Sequence, residues 1–422
     1  MSDRSPVPAI VGSLAAGGIL AIALVLGTAS GASEPVITGS VLFAFGVGWA
    51  LIALLSSRFS AQPQRWTLVP AAFLGLIGLA LIVFQPDPAT MDLLSWLWPP
   101  ALAILAVWMV IQVRRHLRGR GRWLVFPVIG ALLLLALGGG LTTASAATRQ
   151  AVPARAGQLV DVGGHRLYIE CTGSGSPTVV LQSGLGASSA DWARIARVVA
   201  GSTRVCAYDR AGHGRSDDVP SAQDGLALAA DLQTLLDRAG VAKPYVLVGH
   251  SSGGPYVRTF AAQHPDEVAG MVLIDAQPAD AFTALPDYPG IYQSLRTVST
   301  LAPSLARIGL LGLVVGLPLD EATPRAARMQ RDEFAALPTA LEQAKGLTSL
   351  GDRPLIVVTA GFDQQAGWLA AQDLMPALST ASAHRVMPAA THNSLVTGAD
   401  AGASSQAILD VVAAIRGGTP PR

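Results

Sequence analysis

The fold of this chain is decided by residues 245–254, which read YVLVGHSSGG. The first four residues predict a short buried strand, and Gly249, Ser251 and Gly253 then fit the pattern G-x-S-x-G. A strand-to-helix turn this tight needs glycine two residues to either side of the serine, because larger side chains would clash. The pattern therefore predicts a Ser251 hydroxyl that projects from the turn above the N-terminus of a helix, where developing negative charge is favoured.

Around this turn the sequence alternates between strand-like and helix-like segments. Alternation of this kind predicts a mostly parallel sheet with helices on both faces, and ligand chemistry then gathers at the carboxyl ends of the strands. The predicted strands are 158–162, 166–171, 178–182, 203–208, 245–248, 271–275, 355–359 and 384–387. The predicted helices are 191–200, 223–239, 251–264, 368–378 and 404–415.

Three motifs in the same order resemble those of the α/β-hydrolase superfamily over about residues 158–417. They are the serine turn, the run YDRAGHGRSD at 208–217, which is similar to the family's D-R-x-G-x-G-x-S segment, and LQSGLG at 181–186, which looks like its oxyanion loop. The resemblance implies an eight-stranded, mostly parallel sheet with a helical cap. It also implies a serine, acid and histidine in that chain order, and no metal or organic cofactor.

Serine needs a base to become a useful nucleophile, and that base must follow it in the chain if the family order holds. Only His384 and His392 follow the helix that begins at the nucleophile. His384 opens the last predicted strand, which favours a structural or surface role. His392 lies in the loop after that strand, so we expect it to be the general base.

Two aspartates compete for the role of the carboxylate that orients His392. Asp363 follows the strand 355–359, where the family usually places its acid, and is the preferred candidate. Asp275 ends the preceding strand, a position that some relatives use, and is the alternative acid. A bland interpretation of Asp275 is a carboxylate that caps the chain as it leaves the strand.

The oxyanion of a tetrahedral intermediate requires main-chain N–H donors. The resemblance assigns these donors to Ser252, just after the nucleophile, and to Leu185 in the oxyanion loop. Many relatives carry His-Gly where this chain has Ser183-Gly184, a change that leaves a main-chain donor intact. Asp209, Arg210 and Ser216 are interpreted as structural.

The chain has two cysteines, Cys171 and Cys206. The family's strand order would make their strands neighbours, so a disulfide between them is predicted. An extracytoplasmic location would permit it. The alternative is two buried free thiols.

The N-terminal third is expected to be a membrane region of about five helices. Its apolar stretches, each about long enough to span a bilayer, are 9–29, 36–55, 68–84, 91–113 and 123–146. The second and fourth connections hold the basic residues Arg58, Arg65, Arg114, Arg115, Arg118, Arg120 and Arg122, and the alternate ones hold Glu34, Asp87 and Asp92. The positive-inside rule then places the N-terminus inside and the C-terminal domain outside. A different number of crossings would reverse this, and cleavage after 144–146 would release the domain.

The chain therefore divides into a transmembrane region at 1–147, a linker at 148–157 and a hydrolase domain at 158–422, with a cap insertion at about 278–352. Within the insertion, 301–319 is apolar and could line an acyl pocket, touch the membrane, or simply pack within the cap.

The charged fraction is only 14% and the net charge is +1, which gives no indication of nucleic-acid binding. The sequence also lacks a phosphate-binding loop and a zinc-like cluster of Cys and His.

These observations predict a multi-pass membrane protein whose extracytoplasmic domain is a serine hydrolase for carboxylic esters. The expected partners are a small-molecule ester or acyl substrate, which could be lipid-like, and membrane lipid. A peptidase, a thioesterase or an acyltransferase would use the same triad. A membrane sensor that only binds a ligand in a hydrolase-like domain is the alternative from another class. The sequence leaves the oligomeric state open.

Overall fold

The computed structural model describes residues 5–28, 31–119, 121–150, 157–319, 321–362 and 364–421. Arg120 and Asp363 of the sequence predictions lie outside this part of the chain, as do residues 151–156 of the expected linker. The chain divides into two compact units. The first comprises Met1–Val152 with Arg296–Arg328, and the second comprises Pro153–Leu295 with Met329–Arg422.

The first unit contains five helices that are long and apolar enough to cross a membrane, as predicted. They are α1 (Val7–Thr28), α2 (Glu34–Phe59), α3 (Leu68–Phe84), α4 (Pro88–His116) and α5 (Gly121–Gln150). The start of α4 is capped by Asp87, whose carboxylate accepts a hydrogen bond from Thr90 N at 2.7 Å. Glycines bring helices together: a Cβ at Gly39 of α2 would lie 2.6 Å from Gly78 O of α3.

The second unit is built on one eight-stranded sheet. Its strands are β1 (Gln158–Asp161), β2 (Arg166–Thr172), β3 (Thr178–Gln182), β4 (Val205–Tyr208), β5 (Tyr245–His250), β6 (Val268–Ile274), β7 (Leu355–Ala360) and β8 (Ser382–Met387). Their order across the sheet is β1-β2-β4-β3-β5-β6-β7-β8. Only the β1–β2 and β2–β4 pairs are antiparallel, which confirms the predicted mostly parallel sheet.

Nine further helices complete the described chain. They are α6 (Ala193–Val199), α7 (Gly225–Arg238), α8 (Gly253–Gln263), α9 (Ala281–Ala284), α10 (Tyr288–Arg307), α11 (Leu311–Val315), α12 (Pro324–Ala344), α13 (Trp368–Leu374) and α14 (Ala401–Gly417). The central strands are buried along their whole length because their residues are apolar on both faces. Leu235 of α7 and Phe260 of α8 bury one face of the sheet, and Ile195 of α6 and Ile408 of α14 bury the other.

The two cysteines meet in this sheet. Cys171 of β2 lies directly opposite Cys206 of β4 in the antiparallel register, and their sulfur atoms form a disulfide bond. The antiparallel strand β2 is therefore tied covalently to β4, where the parallel part of the sheet begins.

The structure divides the expected cap insertion between the two compact units. Its central part, Arg296–Arg328, belongs to the unit of α1–α5, whereas its two ends belong to the unit of the sheet. From the sequence, the whole insertion was expected to belong to the hydrolase domain.

Candidate active site

Ser251 occupies a strained turn between β5 and α8. Its φ angle is 55°, a left-handed conformation that costs a non-glycine residue about 1–3 kcal/mol. The turn is crowded: a Cβ at Gly249 would lie 2.6 Å from Gly253 O, and a Cβ at Gly253 would lie 2.4 Å from Gln182 O. Backbone bonds from Ser251 N to Ile274 O (3.2 Å) and from Gln277 N to Ser251 O (2.8 Å) hold it in place. The two glycines of the motif are thus required where the sequence predicted them.

The carboxylate beside His392 is Asp275. Asp275 follows β6, is fully buried, and its Oδ2 lies 2.6 Å from His392 Nδ1. From the sequence, Asp363 was expected in this place, with Asp275 as the alternative. Asp363 lies outside the described residues, and the contact with His392 favours Asp275. The physical reason is that β6 neighbours the strand of the nucleophile, so its carboxyl end delivers Asp275 next to the serine turn.

Several donors fix the Asp275 side chain. Trp368 Nε1 donates to Oδ1 at 2.8 Å, Ala360 N donates to Oδ1 at 3.2 Å, and Gln364 Nε2 lies 3.5 Å from Oδ2. These donors satisfy a carboxylate that has no access to solvent and fix its orientation towards the imidazole. The indole of Trp368 was not singled out from the sequence, where nothing but its place after β7 points to the site.

His392 lies in the loop after β8, as predicted, and its side chain is 39% exposed. Because a carboxylate accepts hydrogen bonds, the pairing with Asp275 puts the imidazole proton on Nδ1 and leaves Nε2 as an acceptor. The ring lies 4.5 Å, centroid to centroid, from that of His250, the residue before Ser251. No hydrogen bond joins Ser251 to His392 among the described residues.

His250 supports His392 but does not compete with it for a proton. Its Nε2 lies 3.1 Å from His392 O. Burial, together with a smaller effect of the neighbouring His392, lowers the pKa of His250 to about 3. His250 is therefore neutral near pH 7, and the assignment of the base role to His392 alone is consistent with this.

Two backbone amides are available for an oxyanion. Within the described chain, neither Ser252 N nor Leu185 N has a hydrogen-bond acceptor. Gly184 brings the two loops together, since a Cβ on it would lie 2.8 Å from Ser251 Cβ. The two predicted donors thus belong to loops that meet at the nucleophile, and their N–H groups are uncommitted.

A buried ion pair holds the oxyanion loop. Arg210 donates to Ser183 O at 2.7 Å and to Gly184 O at 2.8 Å, and its Nη2 lies 2.5 Å from Glu333 Oε1. The other oxygen of Glu333 accepts from Gly186 N at 2.8 Å. The loop is therefore fixed on both sides of Leu185. Arg210 was expected from the sequence to be structural, but Glu333 was not identified, because it lies 123 residues further along the chain and has no local signal.

Glu333 is ionised although its side chain is buried. Burial alone would raise its pKa, but the charge of Arg210, with contributions from His213 and from the Gly186 amide, holds the pKa at about 2. His213 Nε2 lies 3.1 Å from Glu333 Oε2. The motif 208–217 thus supplies both the cation and the histidine that surround this carboxylate.

Two other predicted structural residues have identifiable partners. Asp209 accepts from Ser189 N at 2.6 Å and from Arg215 N at 2.9 Å, which ties the loop after β4 to the oxyanion side of the site. His384 Nδ1 lies 2.9 Å from Asp373 Oδ1, and its Nε2 lies 2.8 Å from Thr359 Oγ1. Both ring nitrogens thus have structural partners, which agrees with the expected structural role. Within the described ranges, no group of three or more His, Cys, Asp or Glu side chains could hold a metal ion.

Comparisons with known proteins agree with this fold. Residues 177–307 match the family model for the alpha/beta hydrolase fold. The probable transporter efuK of Hormonema carpetanum is 32% identical over 136 residues, 30% of this chain and 20% of its own length. The putative carbamate hydrolase RutD of Caulobacter vibrioides is 36% identical over 103 residues, 24% of this chain and 38% of its own length. The chain thus spans less than half of the length of these relatives.

The crystal structure of DBJA (mutant dbja delta) is similar in fold. It covers 62% of this chain and 99% of its own, with a TM-score of 0.51 and 18% sequence identity. The sheet order, the serine turn and these matches together show that the C-terminal part of the chain has the alpha/beta hydrolase fold.

Proposed function

We propose that this protein is a membrane-attached serine hydrolase that cleaves carboxylic esters through an acyl-enzyme intermediate. The observation that carries the proposal is the 2.6 Å contact between His392 Nδ1 and the buried carboxylate of Asp275, beside the strained turn of Ser251. A nucleophile, an oriented base and two uncommitted amides are the parts that acyl transfer needs.

In this mechanism Ser251 Oγ attacks the ester carbonyl while His392 Nε2 accepts the hydroxyl proton. Asp275 stabilises the imidazolium that forms, and the Ser252 and Leu185 amides bind the oxyanion. The C–O bond to the alcohol then breaks, and His392 returns its proton to the leaving oxygen. Water, deprotonated by His392, adds to the acyl-enzyme and releases the carboxylic acid and free Ser251.

Esters and carbamates are two substrate classes that fit this reaction. The name of RutD, a putative carbamate hydrolase, supports acyl chemistry in general, because carbamates and esters present similar carbonyl groups. A serine at the nucleophile position favours these substrates over epoxides and haloalkanes, whose hydrolases in this family usually have aspartate there. A panel of p-nitrophenyl esters and the corresponding N-methylcarbamates separates the two classes by kcat/KM.

We also propose that the hydrolase domain is extracytoplasmic. The basic residues lie at the α2–α3 and α4–α5 connections, which supports cytoplasmic placement of those ends. The odd number of spanning helices then places residues after α5 on the other side. The disulfide between Cys171 and Cys206 supports the same conclusion, because such bonds persist in oxidising compartments.

Activity-based labelling tests the reactivity of the nucleophile and the sidedness of the domain together. A membrane-impermeant fluorophosphonate applied to intact cells is expected to modify Ser251, identified by mass spectrometry of the peptide that contains it. A permeant analogue is the control for access. Labelling by the permeant probe alone would contradict the extracytoplasmic placement, and labelling by neither would favour a non-catalytic ligand sensor.

Glu333→Gln is expected to lower kcat for p-nitrophenyl butyrate by about 10- to 100-fold with little change in KM. The reason is that the neutral amide weakens the hold on the Gly186 amide and Arg210, so the oxyanion donor at Leu185 is less well fixed, an effect smaller than removal of a donor. Glu342→Gln, at a 71% exposed position of the same helix, is the matched control and should behave as the wild type. Partial recovery in Glu333→Asp would support a positioning role, and an unchanged kcat in Glu333→Gln would refute it.

The same variant predicts a pH effect on stability. Because the pKa of Glu333 in the folded state, about 2, is below its ordinary value of 4.5, its charge stabilises the fold above that value. This contribution is lost as the pH falls through about 2. We therefore expect the difference in the free energy of unfolding between the wild type and Glu333→Gln, measured by urea titration, to shrink as the pH is lowered from 6 to 3. A constant difference would contradict the ionised state of the buried pair.

A further inference from the structure

The central part of the insertion, Arg296–Arg328, contains two buried arginines that pair with two acidic residues of the N-terminal helices. Arg307 Nε lies 2.5 Å from Glu34 Oε1, and its Nη2 lies 3.2 Å from Asp92 Oδ1. Arg328 Nη2 lies 2.9 Å from Asp92 Oδ2, and its Nη1 lies 3.4 Å from Glu34 Oε2. All four residues belong to the first compact unit. Among these four described residues each charge therefore contacts two opposite charges, and the four charges sum to zero.

This cluster lies at the ends of helices that the hydropathy assigns to the membrane. Glu34 is the first residue of α2 and Asp92 lies in the second turn of α4. Arg307 also donates to Met91 O at 2.6 Å and to Ser95 Oγ. Arg307, Arg328 and Glu34 are buried, whereas Asp92 is half-exposed. Buried charges are strongly unfavourable without partners, so the two arginines of the insertion and Glu34 depend on one another most.

The backbone of the insertion also approaches α5 closely. A Cβ at Gly138 would lie 2.7 Å from Ile308 O, and a Cβ at Gly139 would lie 2.8 Å from Arg307 O. Gly309, with a φ of 74°, makes the turn on the other side of this contact. Glycines on both elements allow the main chains to touch, as they do between helices within membranes.

The position of this contact along α5 indicates how deep in the membrane it lies. Gly138 lies fifteen residues after Trp123, about 22 Å along the helix axis. If Trp123 marks the cytoplasmic interface, that distance falls short of the roughly 30 Å of a hydrocarbon core. The turn at Ile308 and Gly309 therefore reaches the outer part of the hydrocarbon layer.

The residues that follow this turn are apolar and exposed. Leu313 and Val314 of α11 have exposed fractions of 79% and 68%, and Val315 and Leu317 are also exposed. A contiguous apolar patch of this kind is unfavourable in water. Residues 313–317 directly follow a segment that packs against the spanning helices. We therefore expect them to have the same surroundings as the exposed apolar faces of those helices.

We propose that residues 307–317 of the insertion lie in the extracytoplasmic leaflet, anchored by the ion cluster, with Leu313 and Val314 in contact with lipid acyl chains. The inference rests on the proposed membrane attachment. It gives the hydrolase domain a second covalent connection to the bilayer besides the chain that follows α5.

Depth-dependent fluorescence quenching tests this proposal. Both native cysteines are in the disulfide, so a single introduced cysteine can be labelled with NBD in the full chain. The protein is reconstituted in phosphatidylcholine vesicles with or without acyl-chain-brominated lipid. Leu313→Cys is compared with Leu134→Cys on α5, 70% exposed, and with Leu374→Cys on α13, 68% exposed in the hydrolase unit.

The expected result is quenching at position 313 comparable with that at 134, and much weaker quenching at 374. Quenching at 313 no greater than that at 374, with 134 strongly quenched, would overturn the inference and leave the membrane attachment intact. Absence of quenching at 134 would instead overturn the membrane attachment itself.

A second variant tests the role of the ion cluster. Adding Arg307→Met to Leu313→Cys is expected to reduce quenching at 313 towards the level at 374, because Glu34 loses its closest partner. The same substitution added to Leu134→Cys should leave quenching at 134 unchanged. If quenching at 313 persists in the Arg307→Met background, the cluster does not anchor the segment, and that part of the proposal is wrong.

Discussion

Replacement of Ser251 by alanine is expected to lower kcat for p-nitrophenyl butyrate by about 10⁶-fold, the scale seen when a serine protease loses its nucleophile. The hydroxyl is the only group removed, and the covalent route through the acyl-enzyme disappears with it. The oxyanion amides of Ser252 and Leu185 remain, so a small residual rate above that of water is expected.

The substitution should not disturb the fold. Alanine has the same Cβ as serine, so the left-handed conformation at φ 55° is no more strained, and the backbone bonds to Ile274 and Gln277 are kept. Far-UV circular dichroism and thermal unfolding of the purified protein check this. Ser221→Ala, at an exposed position, is the control. A Ser251→Ala protein that keeps more than a few per cent of the wild-type kcat would disprove a nucleophilic role.

The serine turn could be predicted from sequence because its determinants are local. A β-branched strand, two glycines and a following helix are all contained in residues 245–263, and each fits the others sterically. The parallel sheet was predictable for a similar reason, since alternating short apolar runs and amphipathic helices admit few other architectures. The same holds for the five apolar helices, whose length alone indicates that they can span a bilayer.

The sequence alone could not show which aspartate orients His392. Asp275 and Asp363 follow neighbouring strands, and both satisfy the chain order of the family. What favours Asp275 is tertiary: the indole of Trp368 lies 93 residues further along the chain, and His392 lies 117 residues away. Only the folded chain brings these groups around one buried carboxylate.

The division of the insertion between the two compact units could not be predicted from the sequence for the same reason. Arg307 is one charged residue in an otherwise apolar stretch, and its sequence neighbourhood fits cap packing, an acyl pocket or a membrane contact equally well. Its partner Glu34 lies 273 residues away, at the start of α2. A lone charge in an apolar segment indicates that a partner exists, but not where it lies.

Asp275→Asn is expected to lower kcat by about 10³- to 10⁴-fold with a small change in KM. An asparagine amide cannot stabilise the imidazolium that forms at His392, and it offers the ring a donor where an acceptor is needed. The wrong tautomer, with its proton on Nε2, then faces Ser251 and cannot remove the hydroxyl proton. Steady-state kinetics with p-nitrophenyl butyrate between pH 6 and 9 measure the effect.

Asp363→Asn is the matched comparison, because it makes the same change at the position that the family pattern favours. If Asp275 is the orienting acid, this variant keeps kcat near that of the wild type. The reverse result, a severe loss in Asp363→Asn with Asp275→Asn still active, would return the role to Asp363 and leave Asp275 as a structural acceptor for Trp368 and the Ala360 amide. Because Asp275 is fully buried, its variant must also be shown to fold, by retention of the native near-UV circular dichroism. A folded Asp275→Asn protein that has lost activity but still reacts slowly with a fluorophosphonate would separate the orientation of the base from the presence of the nucleophile.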